Sequence, residues 1–485
     1  MIFAFSKQKI PKDQKPSDFF ERVRGKYAFL LNIKENDYQH YTCIGYDPFL
    51  VLMAKNNLVT VLNPRNSSSK QKIKTNSPLK FLRDFFLKYR VKNTAEVFSA
   101  GRGVSHFAGG AAGFFSYDFG VKMMGIKQKT IDDTSLPDFV FCFADKLIIF
   151  DHRKKELYFV GLGETPKDAE NKVKQIKKDI ERERKISSPG KTGILKSNMD
   201  FPQYKAKISA IKKLLYSGET YQVNFSQRFS GSCSANPWEI YKNIEQGNVR
   251  NLGRNQNRPS ASRRDSAIPP YSCYFEFPDF QIVSASPELL FQKHGNIIET
   301  LPIKGTVPRG GNSIKDAKQI RKLLASEKDA AELAMIVDLE RNDLGRVCKI
   351  GSVKVVNNRA IQKLSHVIHT FARIKGLLRD DKDIFDLIEA LFPGGSITGC
   401  PKKRTVEIID KLEDFKRGVY TGSAGFIGFN GDVYMNILIR TMLFKDKKVY
   451  FQVGGGIVAD SNPKKEYEET LDKARGLFKA LKENL

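Results

Sequence analysis

The chain has 485 residues and a formal net charge of +27, from 81 Lys and Arg against 54 Asp and Glu. Its 41% hydrophobic and 28% charged residues are typical of a globular protein with a sizeable core and exclude a disordered or fibrous chain. No apolar run approaches the ~20 residues of a membrane helix, and the N-terminus lacks the apolar centre of a signal peptide. We expect a soluble, cytoplasmic protein that acts without a membrane.

The positive charge has two interpretations. A basic nucleic-acid-binding protein would bind oligonucleotides with a strong dependence on salt. However, the lysines are spread along the whole chain, so they form no binding stripe. We therefore expect no specific nucleic-acid partner, and a small anionic substrate would also gain from the positive field.

The six cysteines show neither a CxxC pair nor the spacing of a zinc site. Scattered cysteines in a long chain indicate buried, reduced thiols. Disulfides are not expected.

The first 185 residues are predicted to form an α+β region. The predicted elements are strands over 29–33 and 42–44, a helix over 79–89, a glycine-dense strand or turn over 107–118, one buried strand over 139–150 and a lysine-rich helix over 166–184. Residues 186–199 are rich in Ser, Gly and Lys and predict a linker. The chain would then divide into an N-terminal region, 1–185, and a second region, 200–485.

The second region is predicted to begin with a helix from Pro202 that is capped by Gly218. A strand over 221–229 follows, and its alternation places Gln222, Asn224 and Ser226 on one face. Residues 243–270 are rich in Asn, Arg, Ser and Gly and cannot bury enough apolar area to order themselves. They predict a basic flexible insertion, and an RNA-contacting arginine patch is the alternative.

The remaining elements alternate between sheet and helix. They are a hairpin over 272–285, a strand over 297–300, mostly helix over 313–339, strands over 353–363 and 366–375, a helix over 401–412 and a last helix over 463–481. Residues 419–429, 433–444 and 449–453 predict one antiparallel meander, with turns at Asn430-Gly431 and Asp446-Lys447.

Lys304 lies in a segment, 301–309, that is otherwise poor in charge. Pro302 and Pro308 stiffen the backbone on either side, and Gly305 permits a sharp turn or a close approach of a ligand. Most lysines point into water, so a structural cation is the common interpretation. An amine kept for chemistry is the alternative, and the residues that follow favour it.

Two predicted helices carry carboxylates one turn apart. Asp329 and Glu332 have i, i+3 spacing on the first, as have Glu466 and Glu469 on the last, and Lys473 follows one turn later. Oxygen ligands without His or Cys suit a hard cation such as Mg²⁺, bound jointly with an acidic substrate. Two solvated helix faces are the alternative.

Three further features could bind an anion or a substrate. Gly454, Gly455 and Gly456 follow a predicted strand and could offer consecutive N–H groups. Arg440, on a predicted strand, could clamp a carboxylate. His366 and His369 lack a third metal ligand, but one of them could donate a hydrogen bond to a substrate.

Five ordered motifs together carry a resemblance. They are Ser286-Pro287-Glu288-Leu289, Pro302-Ile303-Lys304-Gly305-Thr306, the stretch 338–346, the stretch 392–402 and Gly454-Gly455-Gly456-Ile457-Val458-Ala459-Asp460-Ser461. The chain resembles the chorismate-utilising enzymes, which include the anthranilate, aminodeoxychorismate, isochorismate and salicylate synthases. The likeness is dense over 200–480 and looser over 20–160. It implies an α+β chorismate-binding fold with paired antiparallel β-sheets flanked by helices.

Two positions point to a branch of this family. Anthranilate synthases typically have alanine where this chain has Lys304, whereas aminodeoxychorismate synthases have lysine. Family members that add water have a lysine base at the position of Gln222. The resemblance therefore implies the aminodeoxychorismate synthase branch, which serves 4-aminobenzoate and folate synthesis, and anthranilate synthase component I is the alternative.

The resemblance also implies roles for individual residues. Lys304 would add to C2 of chorismate, and Glu288 would be the general acid for the leaving C4 hydroxyl. Mg²⁺ would be held by Glu332 and Glu469, supported by Asp329 and Glu466. The substrate would be positioned by Gln222, Gly305, Thr306, His369, Tyr420, Arg440, Gly454, Gly455, Gly456 and Lys473.

The family further implies a source of ammonia outside this chain. The sequence has no recognisable glutamine amidotransferase module, so ammonia would come from a separate glutaminase subunit or from solution. Two positions within the motifs depart from the family pattern, because Cys400 stands where alanine is usual and Glu340 stands where an apolar residue is usual.

Overall fold

The structure is a computed structural model that describes residues 1–35, 39–66, 69–89, 109–183, 190–250, 269–363 and 367–483, with the backbone alone for 246–250. The strands are β1 (Ile2–Lys9), β2 (Ala28–Lys34), β3 (His40–Gly45), β4 (Leu50–Lys55), β5 (Leu58–Leu62), β6 (Lys70–Lys74), β7 (Gly110–Phe115), β8 (Phe139–Ala144), β9 (Lys146–Asp151), β10 (Glu156–Gly163), β11 (Lys196–Ser197), β12 (Gln222–Ser232), β13 (Cys273–Glu276), β14 (Phe280–Ser284), β15 (Leu289–His294), β16 (Ile297–Thr300), β17 (Ile303–Pro308), β18 (Lys354–Lys363), β19 (Val367–Leu377), β20 (Gly399–Cys400), β21 (Ser423–Gly428), β22 (Val433–Asn436), β23 (Thr441–Lys445) and β24 (Lys448–Ile457).

The helices pack around these strands. They are α1 (Pro16–Val23), α2 (Pro78–Tyr89), α3 (Tyr117–Met123), α4 (Pro166–Asp179), α5 (Phe201–Tyr216), α6 (Pro237–Arg250), α7 (Ser313–Leu324), α8 (Glu327–Gly345), α9 (Ile384–Leu391), α10 (Lys402–Leu412) and α11 (Pro463–Ala480). Within the described ranges, no helix is long and apolar enough to cross a membrane.

Two antiparallel sheets of twelve strands each form the frame. The first has the order β1-β10-β9-β3-β2-β13-β14-β23-β24-β12-β11, with β20 paired to β12. The second has the order β17-β19-β16-β15-β22-β21-β7-β8-β4-β5-β6, with β18 paired to β19. The predicted α+β fold with paired antiparallel sheets is confirmed.

Each sheet combines strands from both sides of residues 186–199. In the first sheet β2 pairs with β13, and in the second β7 pairs with β21. Of the predicted linker, residues 186–189 lie outside the described residues, and β11 adds Lys196 and Ser197 to the edge of the first sheet. The division at 186–199 therefore stays a prediction about the sequence.

Strand β2 shows how the core is built. Its alternate residues Phe29 and Leu31 join a large apolar cluster that also contains Phe114 and Phe141 of the second sheet. Between them, Leu30 belongs to a separate cluster with side chains from α1, α6 and α11. Because both faces of the strand are covered, its first four residues, Ala28 to Leu31, are all apolar and show no polar alternation.

The prediction of a single strand over residues 139–150 is wrong. The structure has two strands, β8 in the second sheet and β9 in the first, and the chain crosses between the sheets at Asp145. Asp145 is buried and paired with Arg65 at 2.6 Å and Lys172 at 3.1 Å. A continuous apolar run does not reveal where a buried chain changes sheet.

The prediction of one antiparallel meander over residues 419–453 is wrong for the same reason, because here too the chain changes from one sheet to the other. Its middle strand is two strands, because β22 lies in the second sheet and β23 in the first. Arg440 is therefore not on a strand. It lies in the crossing, with a φ of 51° that is uncommon for a non-glycine residue.

Three further predictions change in detail. Residues 243–250 of the predicted flexible insertion are the end of helix α6, and 251–268 lie outside the described residues. The helix predicted over 313–339 is two helices, because the Ser326 hydroxyl accepts a hydrogen bond from the Asp329 N–H and caps α8. The lysine-rich helix predicted to reach 184 ends at Asp179.

Candidate active site

Lys304 lies on β17, where the strand bulges. Lys304 pairs with Thr370 of β19 and Thr306 pairs with His369, so Gly305 is the extra residue. Gly305 has a φ of 73°, and a Cβ added there would stand 2.9 Å from Cγ of Asp329. The bulge therefore needs glycine both for its backbone conformation and for the close approach of α8. It orients the Lys304 side chain toward that helix.

Lys304 and Glu288 perturb each other. Burial lowers the pKa of the Lys304 amine, while the negative charges of Glu332 and Glu288 oppose that shift. Burial raises the pKa of the Glu288 carboxyl, and the Ser396 hydroxyl and the Lys304 ammonium oppose it. Burial thus shifts both pKa values toward the uncharged form, which is the direction that a nucleophilic amine and a general acid require.

Ser396 is a site residue that the sequence interpretation missed. Its hydroxyl donates a 2.8 Å hydrogen bond to Oε1 of Glu288 from a short 3₁₀ turn, Gly395–Ile397. Ser396 falls within the motif at 392–402, but that motif contains no signal for a contact with a residue 108 positions away.

The four predicted metal ligands come from α8 and α11. The Glu332 and Glu466 carboxylates are near enough for their negative charges to repel each other. The Lys328 Nζ stands 3.7 Å from Glu466 Oε1 and 3.8 Å from Glu332 Oε1. Glu469 is paired with Lys473 at 2.8 Å. Burial alone would raise the pKa of Glu469, but Lys473 more than offsets it and the pKa is lowered.

These carboxylates offer the oxygen ligands that a hard cation prefers, but their side chains are not arranged closely enough to ligate one ion together. Among the described residues, no three acidic, His or Cys side chains stand close enough to ligate one ion. Lys328 supplies the positive charge between Glu332 and Glu466. Glu332 and Glu469, with Asp329 and Glu466 in support, would hold Mg²⁺, which would supply positive charge beside an acidic substrate.

The three glycines lie within β24, not after it as predicted. A Cβ on Gly454 would stand 3.0 Å from the Tyr420 hydroxyl oxygen, and one on Gly456 would stand 3.0 Å from the Gln222 carboxamide. A Cβ on Gly455 would point to Glu466 at 3.4 Å. Side chains therefore pack closely against the glycines on both faces of the strand, and the Lys473 Nζ donates to the Gly454 carbonyl at 2.9 Å.

The Gln222 side chain lies beside Gly456 of this strand, in a position where its hydrogen-bonding groups are not satisfied. The side chain is fully buried, yet neither its Oε1 nor its Nε2 has a hydrogen-bond partner in the described part of the chain. An unpaired buried amide is costly. A polar ligand beside Gly456 would satisfy it.

Arg440 and His369 border the same region. Burial lowers the pKa of Arg440, while Glu288 opposes the shift, although the side chain is exposed to water. The guanidinium therefore has many protein atoms around it and is still accessible to solvent. Burial and Arg440 lower the pKa of His369 to about 4, and its Nε2 lies 2.8 Å from Gln362 Oε1. The Thr306 side chain is exposed, and His366 lies outside the described residues.

Arg417 organises the residues behind Tyr420, and sequence interpretation missed it. Its guanidinium bonds Glu413 at 2.7 and 2.8 Å, the Asn224 carbonyl at 2.7 Å and the Ile397 carbonyl at 3.0 Å. It also lies 5.5 Å from the centroid of the Tyr420 ring. One buried cation therefore joins β12, the Ser396 turn and Tyr420.

We expect Arg417→Met to destabilise the protein by about 3–5 kcal/mol, because it leaves Glu413 buried and unpaired. Urea unfolding monitored by circular dichroism measures the change. The matched control is Arg404→Met, whose ion pairs with Glu219 and Glu407 are partly exposed and should contribute less than about 1 kcal/mol. Equal losses in the two variants would contradict the role given to Arg417.

Comparisons with known proteins agree with this geometry. The sequence profile of the chorismate binding enzyme family matches residues 51–252 and 261–479. Aminodeoxychorismate synthase component 1 of Bacillus subtilis is 36% identical over 91% of this chain and 89% of its own length. Anthranilate synthase component 1 of Acetivibrio thermocellus is 33% identical over 96% and 93%. The crystal structure of anthranilate synthase component I from Streptococcus pneumoniae superimposes with a TM-score of 0.74 and 27% identity, covering 97% of this chain and 98% of that one.

Proposed function

The chain belongs to the chorismate-binding enzyme family, and we propose that it is the aminodeoxychorismate synthase component I type of member. It would convert chorismate and ammonia to 4-amino-4-deoxychorismate for 4-aminobenzoate and folate synthesis. The observation that carries the proposal is Lys304, a partly buried amine whose pKa is lowered by burial and on which the charges of Glu332 and Glu288 act. The relative from Bacillus subtilis, named as an aminodeoxychorismate synthase component, supports it.

In the first half of the proposed reaction, the neutral Lys304 Nζ bonds to C2 of chorismate. The ring double bonds shift, the C4–O bond breaks, and Glu288 donates its proton so that the hydroxyl leaves as water. Glu288 is then a carboxylate.

In the second half, ammonia bonds to C4, the double bonds shift back and the bond between C2 and Lys304 breaks. The incoming nitrogen loses a proton to the Glu288 carboxylate, which restores the acid. The net change is the exchange of the C4 hydroxyl for an amine, with release of water.

The substrate's carboxylates need positive partners. Arg440, Lys473 and those N–H groups of Gly454–456 that point away from β12 would bind them, since among the described strands residues 452–457 of β24 pair with β12 alone. Tyr420, Gln222, His369, Gly305 and Thr306 would border the ring. Glu332 and Glu469, supported by Asp329 and Glu466, would hold Mg²⁺, which neutralises a substrate carboxylate when bound.

Ammonia would come from a glutamine amidotransferase subunit or directly from solution. Two relatives are named as component 1 of an enzyme, which supports a second subunit.

Anthranilate synthase component I is the second candidate. The relative from Acetivibrio thermocellus and the superimposed structure favour it, because both are named as that enzyme. Lys304 argues against it, since alanine is typical of that branch.

A product assay separates the two candidates. The protein is supplied with chorismate, Mg²⁺ and ammonium, with and without an excess of the lyase that releases pyruvate from 4-amino-4-deoxychorismate. We expect 4-aminobenzoate only with the lyase, no anthranilate fluorescence, and loss of turnover with a chelator that excess Mg²⁺ reverses. Anthranilate formed without the lyase would overturn the proposal in favour of the second candidate.

A further inference from the structure

The segment between helices α9 and α10, residues 392–401, carries the hydroxyl that holds the proposed general acid. Ser396, near its middle, donates a 2.8 Å hydrogen bond to Oε1 of Glu288, and both residues are buried. A buried carboxyl held by a hydrogen bond keeps one orientation. The position of this segment therefore decides where Glu288 presents its proton to the substrate.

A single ammonium joins the two ends of the segment. Lys402 is the first residue of α10, and its Nζ donates to the carbonyl of Leu391, the last residue of α9, at 3.1 Å. Residues 392–401 are thus a loop that begins and ends at one hydrogen bond.

The same ammonium attaches the loop to helix α8. The Lys402 Nζ stands 2.5 Å from Oδ2 of Asp343, and the two side chains are only 10% and 8% exposed. Near the middle of the loop, a Cβ added to Gly395 would stand 2.7 Å from Cδ2 of Leu339, one turn earlier on α8. The loop is therefore fixed to α8 by an ion pair at its end and by close packing at its middle.

Helix α8 also approaches the strand of the proposed nucleophile. Gly305, which follows Lys304, lies so close to α8 that an added Cβ would stand 2.9 Å from Cγ of Asp329. One helix thus packs against both the Lys304 bulge and the loop that carries Ser396. Fixing the loop on α8 sets the position of the acid relative to the amine.

We propose that Lys402 and Asp343 are positioning residues for the proposed reaction: their ion pair holds the loop 392–401 on α8 and, through Ser396, holds the Glu288 carboxyl in place. This inference rests on the general-acid role that the proposed function gives to Glu288. Neither member of the pair contacts the substrate in that scheme. Stability alone does not account for the pair, because taking two charges out of water costs about as much as their attraction returns.

The test is a double-mutant cycle in kcat between Lys402→Met and Ser396→Ala. We expect each single variant to lower kcat by about ten- to a hundredfold, as a misplaced catalytic group does, with KM for chorismate within about twofold of wild type. The combined variant should be no more than about twofold slower than Ser396→Ala, because Lys402 acts through Ser396. Losses that multiply in the combined variant, or an unchanged kcat in either single variant, would overturn the proposal.

A second variant removes both charges and protects the test against misfolding. Lys402→Met alone leaves Asp343 buried and unpaired, which destabilises a protein, whereas Lys402→Met combined with Asp343→Leu leaves no buried charge behind. Urea unfolding checks that this variant folds. Its kcat should still fall by about ten- to a hundredfold, because it lacks the bonds to Leu391 and α8, and a wild-type kcat would contradict the proposal.

The matched control is Lys242→Met. Lys242 on α6 pairs with Glu21 of α1 at 2.6 Å, and the two side chains are 21% and 10% exposed, so this variant also breaks a largely buried ion pair. Its kcat should stay within about twofold of wild type. An equal loss in this control would show a general effect of breaking such a pair and would also overturn the proposal.

Failure of the proposed function is distinguishable from failure of this inference. If the product is anthranilate, the same cycle is measured by anthranilate fluorescence, because Glu288 would protonate the same leaving hydroxyl. If the product is 4-amino-4-deoxychorismate and the losses multiply, the proposed function stands and the positioning role of the ion pair is rejected.

Discussion

Replacing Lys304 with alanine should lower the rate of 4-amino-4-deoxychorismate formation by about a thousandfold or more, as expected for loss of a covalent nucleophile. The loss should fall on kcat, because the proposed contacts to the substrate's carboxylates come from Arg440, Lys473 and the glycine strand. Steady-state kinetics with ammonium and excess lyase measure it.

The control for this variant is Lys293→Ala. Lys293 is a buried lysine on β15 whose Nζ donates to the Gly431 carbonyl at 2.8 Å, so it tests the removal of a buried amine outside the cleft. Its rate should stay within about twofold of wild type. Intact-protein mass spectrometry with chorismate but no ammonia should detect an adduct of chorismate less water on the wild type alone. Full ammonia-dependent activity in Lys304→Ala would refute the covalent route.

Glu288→Gln should lower kcat by about 10²- to 10⁴-fold, the usual contribution of a general acid. The amide retains the hydrogen bond from the Ser396 hydroxyl, which the structure shows at 2.8 Å, so the fold around it should be preserved. What it lacks is a proton for the leaving C4 hydroxyl.

The pH dependence of the activity provides a second test of the role proposed for Glu288. Burial raises the pKa of Glu288, so the wild type should lose activity on the alkaline side as that carboxyl ionises, whereas Glu288→Gln should show no such limb. The matched control is Glu245→Gln, which replaces a buried glutamate on α6 whose pKa is also raised by burial, and which should keep the wild-type rate and alkaline limb. If Glu288→Gln keeps the wild-type rate, another group must protonate the hydroxyl.

Elements with a local signature were predictable from sequence. The hairpin near 272–285 is present as β13 and β14, and Gly218 has the positive φ of 75° expected of a helix cap. Both depend on a few adjacent residues, as turn geometry and caps do. The family resemblance is likewise confirmed, because ordered motifs are a property of the sequence itself.

The crossings between the sheets were not predictable in this way. Asp145 and Arg440 each stand where an apolar run leaves one sheet for the other. Period-two alternation reports which faces of a strand are buried, but both faces are buried here, so the pattern is the same before and after the crossing.

The sequence by itself determined the fold class, the family and the chemical types at the site: an amine at Lys304, an acid at Glu288 and paired carboxylates on two helices. Only the tertiary structure decided that the Ser396 hydroxyl holds Glu288 and that Arg417 connects three segments behind Tyr420. The physical reason is distance along the chain. Residue type and local spacing are written in the sequence, whereas burial and the contact of residues far apart in it arise only when the two sheets close on each other.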